Sequence, residues 1–179
     1  MISKTLVVYY SKNGSSKYLA QRLGRELLCD VEPLVPRINS FFTVLLGLTL
    51  GLKKIRVNVE DYNKIIICSP IWMGQLLSPV RSFINKYSNN ATKCYLALSC
   101  ASSEESKNDK FGYNTVIKKF EELTGDKFVS AHAFSVLKVI PPSNAKNDDI
   151  IMKTTFNDEN FKNVILNEFS DFIEIINAT

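Results

Sequence analysis

The sequence predicts an α/β domain in which a parallel sheet is covered by helices on both faces. Apolar, β-rich runs recur as KTLVVYY (4–10), YNKIIICSP (62–70) and KCYLALSC (93–100), and segments with helical spacing or helix-entry signals separate them. Strands that alternate with helices in this way specify a parallel, doubly covered sheet. No Pro/Gly/Ser-rich linker, repeat or low-complexity tract interrupts the pattern. A chain of 179 residues that is 45% hydrophobic is long enough to bury a proper core, so residues 1–179 are read as one domain.

The elements follow in order. A strand over 4–10 contains no Gly or Pro, and a helix over 16–28 carries Leu19, Leu23 and Leu27 on one face. A strand over 30–35 and a helix over about 40–53 come next, followed by the strand at 64–69 and a helix over 78–88. Pro79 suits the first turn of that helix, where its missing N–H would be unpaired anyway, and Ser78 is the expected cap. The remaining expectations are a strand at 93–100, a helix at 110–124, a strand at 127–138 and a helix at 159–177. Asp148 and Asp149 follow Pro141-Pro142 and read as the start of a helical turn rather than a metal site.

Ligands of an open parallel sheet bind where strands run into helices. SKNGSS (11–16) occupies one such junction. Ser11, Asn13, Ser15 and Ser16 supply short polar side chains, Gly14 permits positive φ, and the amides at the helix start suit a phosphate. Lys12 and Lys17 add screening charge. Capping of the helix by Ser15 or Ser16 explains the same residues equally well. The segment is neither a P-loop nor a dinucleotide fingerprint, because both require glycine spacings that it lacks.

The second junction is CSPIWMGQLLSPVRSFI (68–84), which carries Pro70, Ile71, Trp72, Met73 and Gly74. It places the only tryptophan of the chain at a loop tip, either covering the core from its edge or stacking on a flat ring.

Together, YYSKNGSSKYLA and IIICSPIWMGQLLSPVRSFI resemble the flavodoxin domain family, with a first loop of the form Ser/Thr-x-Thr-Gly-x-Thr and a second of the form Pro-Ile/Val-Trp-x-Gly…Pro-x-Arg-x-Phe. Ser11, Asn13, Gly14 and Ser16 fall on the first pattern. Pro70, Trp72, Gly74, Pro79, Arg81 and Phe83 fall on the second. The resemblance implies a flavodoxin-like three-layer sandwich with five parallel strands in the order 2-1-3-4-5. It implies FMN as cofactor, held by Ser11, Lys12, Asn13, Gly14, Ser15 and Ser16 at its phosphate and covered at its ring by Pro70, Ile71, Trp72, Met73 and Gly74. A third family loop should follow the fourth strand, at Cys100, Ala101, Ser102 and Ser103. The amides near Gly74 and in this third loop would meet the polar edge of the ring. Here the sequence departs from the pattern: many relatives carry a glycine-rich turn, whereas ASSEESKNDK has no glycine before Gly112. Tyr113 suits either an aromatic contact or helix packing.

Cys29, Cys68, Cys94 and Cys100 show no metal spacing, and three of them lie in or at the ends of apolar strands. They read as small buried residues of a reducing compartment, with Cys100 close to the ligand edge. With no signal-peptide pattern ahead of the first strand, the expected location is the cytoplasm. FFTVLLGLTLGL (41–52) is apolar on every side, yet twelve residues fall short of the roughly 20 needed to cross a bilayer. It is expected to pack partly on the sheet and to form a homodimer or partner surface, with Gly47 and Gly51 at small-xxx-small spacing.

The net charge of +4 is opposite to the acidic balance of many electron-shuttling flavodoxins. It fits acidic redox partners or a small electron acceptor. Nucleic acid is a poor alternative and is not expected as a partner, because Lys and Arg are scattered and form neither a basic stripe nor a recognised binding motif. His132, the only histidine, reads as a satisfied strand residue, and no GxSxG elbow accompanies it. A phosphorylated receiver domain would need acidic residues where Ser11-Lys12-Asn13 and Ser69 stand.

No catalytic residue or metal ligand is assigned. The expected function is electron transfer through noncovalent FMN. The alternatives are an NAD(P)H-linked quinone or small-acceptor oxidoreductase of the same fold, and a cofactor-free interaction module.

Overall fold

The computed structural model describes residues 4–38 and 51–179. Five strands, β1 (Thr5–Tyr9), β2 (Asp30–Pro33), β3 (Lys64–Pro70), β4 (Lys93–Cys100) and β5 (Phe128–Ser135), form one sheet in the order β2-β1-β3-β4-β5. Every pairing is parallel. The described helices are α1 (Ser15–Glu26), α2 (Ser78–Tyr87), α3 (Tyr113–Thr124), α4 (Asp148–Lys153) and α5 (Val164–Ala178).

Side chains of a strand alternate between faces, so an uninterrupted apolar run must feed two cores at once. Leu6 and Val8 of β1 join Ile65 and Ile67 of β3 and Leu96 and Leu98 of β4 on one face, where Phe83 of α2 and Phe120 of α3 cover them. Val7, Ile66, Cys68, Tyr95 and Ala97 point the other way, under Leu19 and Leu23 of α1 and Phe169 and Phe172 of α5. Each fully buried side chain of this size contributes roughly 1.5–3 kcal/mol relative to exposure. That is why the uninterrupted apolar runs mark the inner strands β1, β3 and β4 so plainly.

Several boundaries shift for local reasons. α1 starts at Ser15, one residue early, because Gly14 takes the cap position in the left-handed region. Leu77, not Ser78, precedes α2, and no side chain caps it; Pro79 does sit in the first turn. β5 ends at Ser135 rather than 138, as the chain winds into a 3-10 turn over Val136–Val139 with Ser135 Oγ accepting from the Leu137 amide. The expected helix at 159–177 begins only at Val164. Asp148 and Asp149 do open a helical turn, capped by Asn147 Oδ1 accepting from the Ile150 amide. Most of the expected helix at 40–53, with its dimer surface at 41–52 and Gly47, lies outside the described residues. At its end the chain is extended, with the Lys53 amide donating to Val35 O and Leu52 bridging Pro36.

His132 lies in β5 with its ring centroid 4.5 Å from that of Phe134, and its Nε2 is 3.5 Å from Glu168 Oε2 of α5 without a hydrogen bond, so the histidine expected to be satisfied keeps this buried nitrogen without a hydrogen-bond partner among the described residues. Lys138 also pairs with Glu168. Burial lowers the His132 pKa, and the Glu168 carboxylate opposes this; Lys138 lowers it and Asp171 raises it more weakly. A histidine whose folded pKa is depressed contributes stability that is complete above its unfolded value and lost as pH falls below it. Urea midpoints should therefore fall between pH 7 and about 5.5, below the ordinary imidazole value near 6.5. His132→Gln should flatten that decline; an unchanged slope would assign it to other groups.

Candidate functional site

The site is assembled where the carboxyl ends of β1, β3 and β4 meet the start of α1. In the first turn, Ser11 Oγ accepts from the Gly14 amide at 3.1 Å and Asn13 Oδ1 accepts from the Ser15 amide at 3.3 Å. These two bonds hold the turn in shape without help from a ligand. Gly14 has φ +108°, and a Cβ built on it would meet nothing within 4 Å. The conformation demands glycine, and the room beside it is open. As the second and third residues of α1, Ser16 and Lys17 carry amides without intrahelical partners, at the positive end of the helix dipole.

The Ser15 and Ser16 hydroxyls serve the interior instead. Both residues are buried; Ser15 Oγ accepts from the Phe156 amide at 3.3 Å, and Ser16 Oγ bonds Ser99 Oγ at 2.7 Å. Neither caps the helix. Hydroxyls buried in a helix–sheet contact need partners, and these two find them across the fold.

In the second loop, the Ile71 amide donates to Ser99 O, and the Gln75 amide closes a turn on Trp72 O at 2.9 Å. Its central residues, Met73 (φ +50°) and Gly74 (φ +64°), have the paired positive φ of a primed turn. A Cβ on Gly74 would lie 2.5 Å from Lys110 O, so glycine lets this turn rest directly on the loop before α3.

Trp72 borders two hollows. The first is an open cleft of about 670 Å³ bounded by Tyr9, Tyr10, Lys12, Lys17, Leu34 and Trp72. Ser11 and Gly14 also border it. Lys12 Nζ lies 5.1 Å from the centroid of the indole ring, and Tyr10 meets the indole edge-on at 6.2 Å. The second hollow, about 100 Å³, lies between Asn13, Ser15, Pro70, Ile71 and Trp72 on one side and Ser99, Cys100 and Ala101 on the other. Ile151, Met152 and Thr154 complete its wall.

Ser16, Met73, Gly74, Ser102 and Ser103 border neither hollow. Met73 is exposed at the loop tip. Ser103 is turned onto its own loop, where its amide donates to Ser106 Oγ and its Oγ accepts from the Ser106 amide. Tyr113 OH donates to Glu104, which also pairs with Lys107, and Gly112 allows the tight return, since a Cβ there would lie 2.3 Å from Lys107 O. The loop thus folds on itself, and only Cys100 and Ala101 at its root reach the hollow. Burial pushes the Cys100 thiol up to about 11, so it stays protonated near neutrality.

Tyr9, Tyr10 and the stretch 33–36 border the cleft although the sequence offered no motif for them; their place follows from β2 lying beside β1. No described helix is long and apolar enough to cross a membrane.

The family profile of the flavodoxin domain matches residues 6–137. The chain belongs to the flavodoxin domain family. The match spans all five strands and both junction loops of this flavodoxin domain. Solved structures agree in fold. A flavoprotein from Lactobacillus acidophilus NCFM, solved in complex with FMN, is 16% identical with a TM-score of 0.61, covering 73% of this chain and 93% of its own. A putative flavoprotein from Bacteroides eggerthii DSM 20697 is 18% identical with a TM-score of 0.59, covering 73% and 87%. Oxidised Flavodoxin 1 from Bacillus cereus is 13% identical with a TM-score of 0.50, covering 99% of both chains. No curated protein sequence matches.

Proposed function

We propose that this flavodoxin domain binds FMN noncovalently and passes electrons through it to a partner protein or a small acceptor. The observation that carries this reading is Gly14: its left-handed conformation leaves open room at the start of α1, flanked by Lys12 and Lys17. A phosphate placed there would take backbone amides at the positive helix end, with two ammonium groups nearby. The flat face of Trp72, in the loop after the neighbouring strand β3, suits the isoalloxazine ring. FMN would supply the redox chemistry. The chain would supply the anion cradle and the aromatic wall, and its four thiols stand aside: burial raises all of them.

The open cleft favours a second reading, an NAD(P)H-linked oxidoreductase. A hollow of about 670 Å³ beside Trp72, with Lys12 and Lys17 on its rim, has room for a small anionic or aromatic acceptor. Steady NADPH or NADH oxidation by the FMN-loaded chain with a quinone would support it; electron transfer without turnover would assign a carrier.

Titration of the stripped chain with FMN and riboflavin tests the main reading. FMN should bind far more tightly; equal binding of the two would overturn the phosphate cradle, and absent binding of both would favour a cofactor-free module. Trp72→Ala should weaken FMN roughly thirtyfold, corresponding to about 2 kcal/mol of lost stacking. Unchanged affinity would make Trp72 a cover of the core.

A further inference from the structure

The flavodoxin-family profile ends at residue 137, yet the chain runs back over the site beyond it. Ile140 is buried, Phe156 is buried, and between these anchors lies α4, none of whose residues is buried. The segment is thus a strap pinned at both ends and loosely packed between them. Its far end is tied to the phosphate turn itself, through the Phe156 amide on Ser15 Oγ. Its middle brings Ile151, Met152 and Thr154 against the hollow shared by Trp72 and Ala101. Met152 is 75% exposed, unusual for a large apolar side chain beside a cavity.

We infer that this strap, through Ile151 and Met152, is the movable outer wall of the flavin ring site, in place of the glycine-poor loop after β4. The inference rests on the FMN reading above. Three observations support it. Trp72 borders the small hollow together with Ile151 and Met152, while Lys12 and Tyr10, its neighbours in the larger cleft, do not border that hollow. The loop after β4 is bonded to itself and lends only its root to that hollow. The hollow is only about 100 Å³, and the strap, none of whose helical residues is buried, is the least-packed part of its wall.

The strap offers the ring a thioether and a branched aliphatic side chain, both suited to an aromatic face. A wall that lies against the ring is distinct from a plug that competes with it, and the two differ in sign. Truncating a wall weakens binding, whereas truncating a plug strengthens it.

The experiment is an FMN titration of the full chain and of the double variant Ile151→Ala/Met152→Ala, with iodide quenching of the bound flavin. Dissociation constants about tenfold higher and stronger quenching in the variant are expected, the size of effect that loss of two apolar contacts produces. Unchanged values, or tighter binding, would overturn the inference while leaving FMN binding intact. Failure of the unaltered chain to bind FMN would overturn both.

A second measurement needs no variant. Lys146 and Lys153 are exposed on the strap, and trypsin cleavage there should slow several-fold with FMN or riboflavin but not with inorganic phosphate alone. Equal protection by phosphate would place the effect at the turn and overturn the role of the strap.

Discussion

Gly14→Val should abolish FMN binding at micromolar concentrations while riboflavin affinity is unchanged. A Cβ at Gly14 has room, since nothing lies within 4 Å of it, and the valine side chain would enter the space assigned to the phosphate. A charge-assisted hydrogen bond contributes roughly 1.5–3 kcal/mol, so losing two of them lowers affinity by a factor of several hundred or more. The φ of +108° adds backbone strain of about 1–2 kcal/mol for any residue with a Cβ. The sheet should survive that cost, as circular dichroism would show. Parallel loss of FMN and riboflavin would point to a disordered site rather than a filled cradle, and full retention of FMN would move the phosphate elsewhere.

The largest effect on stability should come from Phe134→Ala. Phe134 is fully buried in β5, with the rings of Phe161, Phe169 and Phe172 each about 6 Å away by centroid and His132 closer. These residues come from α5, from the segment before it and from the strand itself, so the ring joins three parts of the chain. Removing it costs about 3–5 kcal/mol, a large share of the roughly 5–15 kcal/mol that holds a domain together. Thermal denaturation should show a fall of about 10 °C or more. A drop of only a few degrees would mean that the aromatic cluster collapses to fill the gap.

The architecture was legible because its inner strands, β1, β3 and β4, are buried on two faces. Ile65, Ile66 and Ile67 cannot alternate in polarity when both neighbouring layers are apolar, and such a run announces itself without any partner. Gly14 and Trp72 were legible for a related reason: each is locally conspicuous, one by the conformation it permits and one by its size. What could not be read were features set by tertiary path. The Ser15 and Ser16 hydroxyls look like caps in sequence, and only the arrival of Phe156 and Ser99 shows that they are structural bolts. The loop after β4 looks like the third side of a site, and only its internal hydrogen bonds show it turned away. Nothing in DDIIMK marks Ile151 and Met152 as neighbours of Trp72, more than seventy residues earlier.

Net charge points in the same direction as the cleft. With a formal charge of +4 and lysines at its rim, the domain would be steered toward acidic partners or anionic acceptors, and raising the salt concentration should slow that encounter.

The position of Trp72 on the border of both cleft and hollow makes the chain its own instrument. With one indole in 179 residues, emission excited at wavelengths too long for the seven tyrosines comes from a single place. A molecule entering the cleft meets the ammonium group beside that indole, and a molecule entering the hollow meets the indole itself. The first changes the colour of the emission by altering the local field, and the second dims it by direct contact. Occupants of the two chambers can therefore be followed separately, in real time and without attaching a dye.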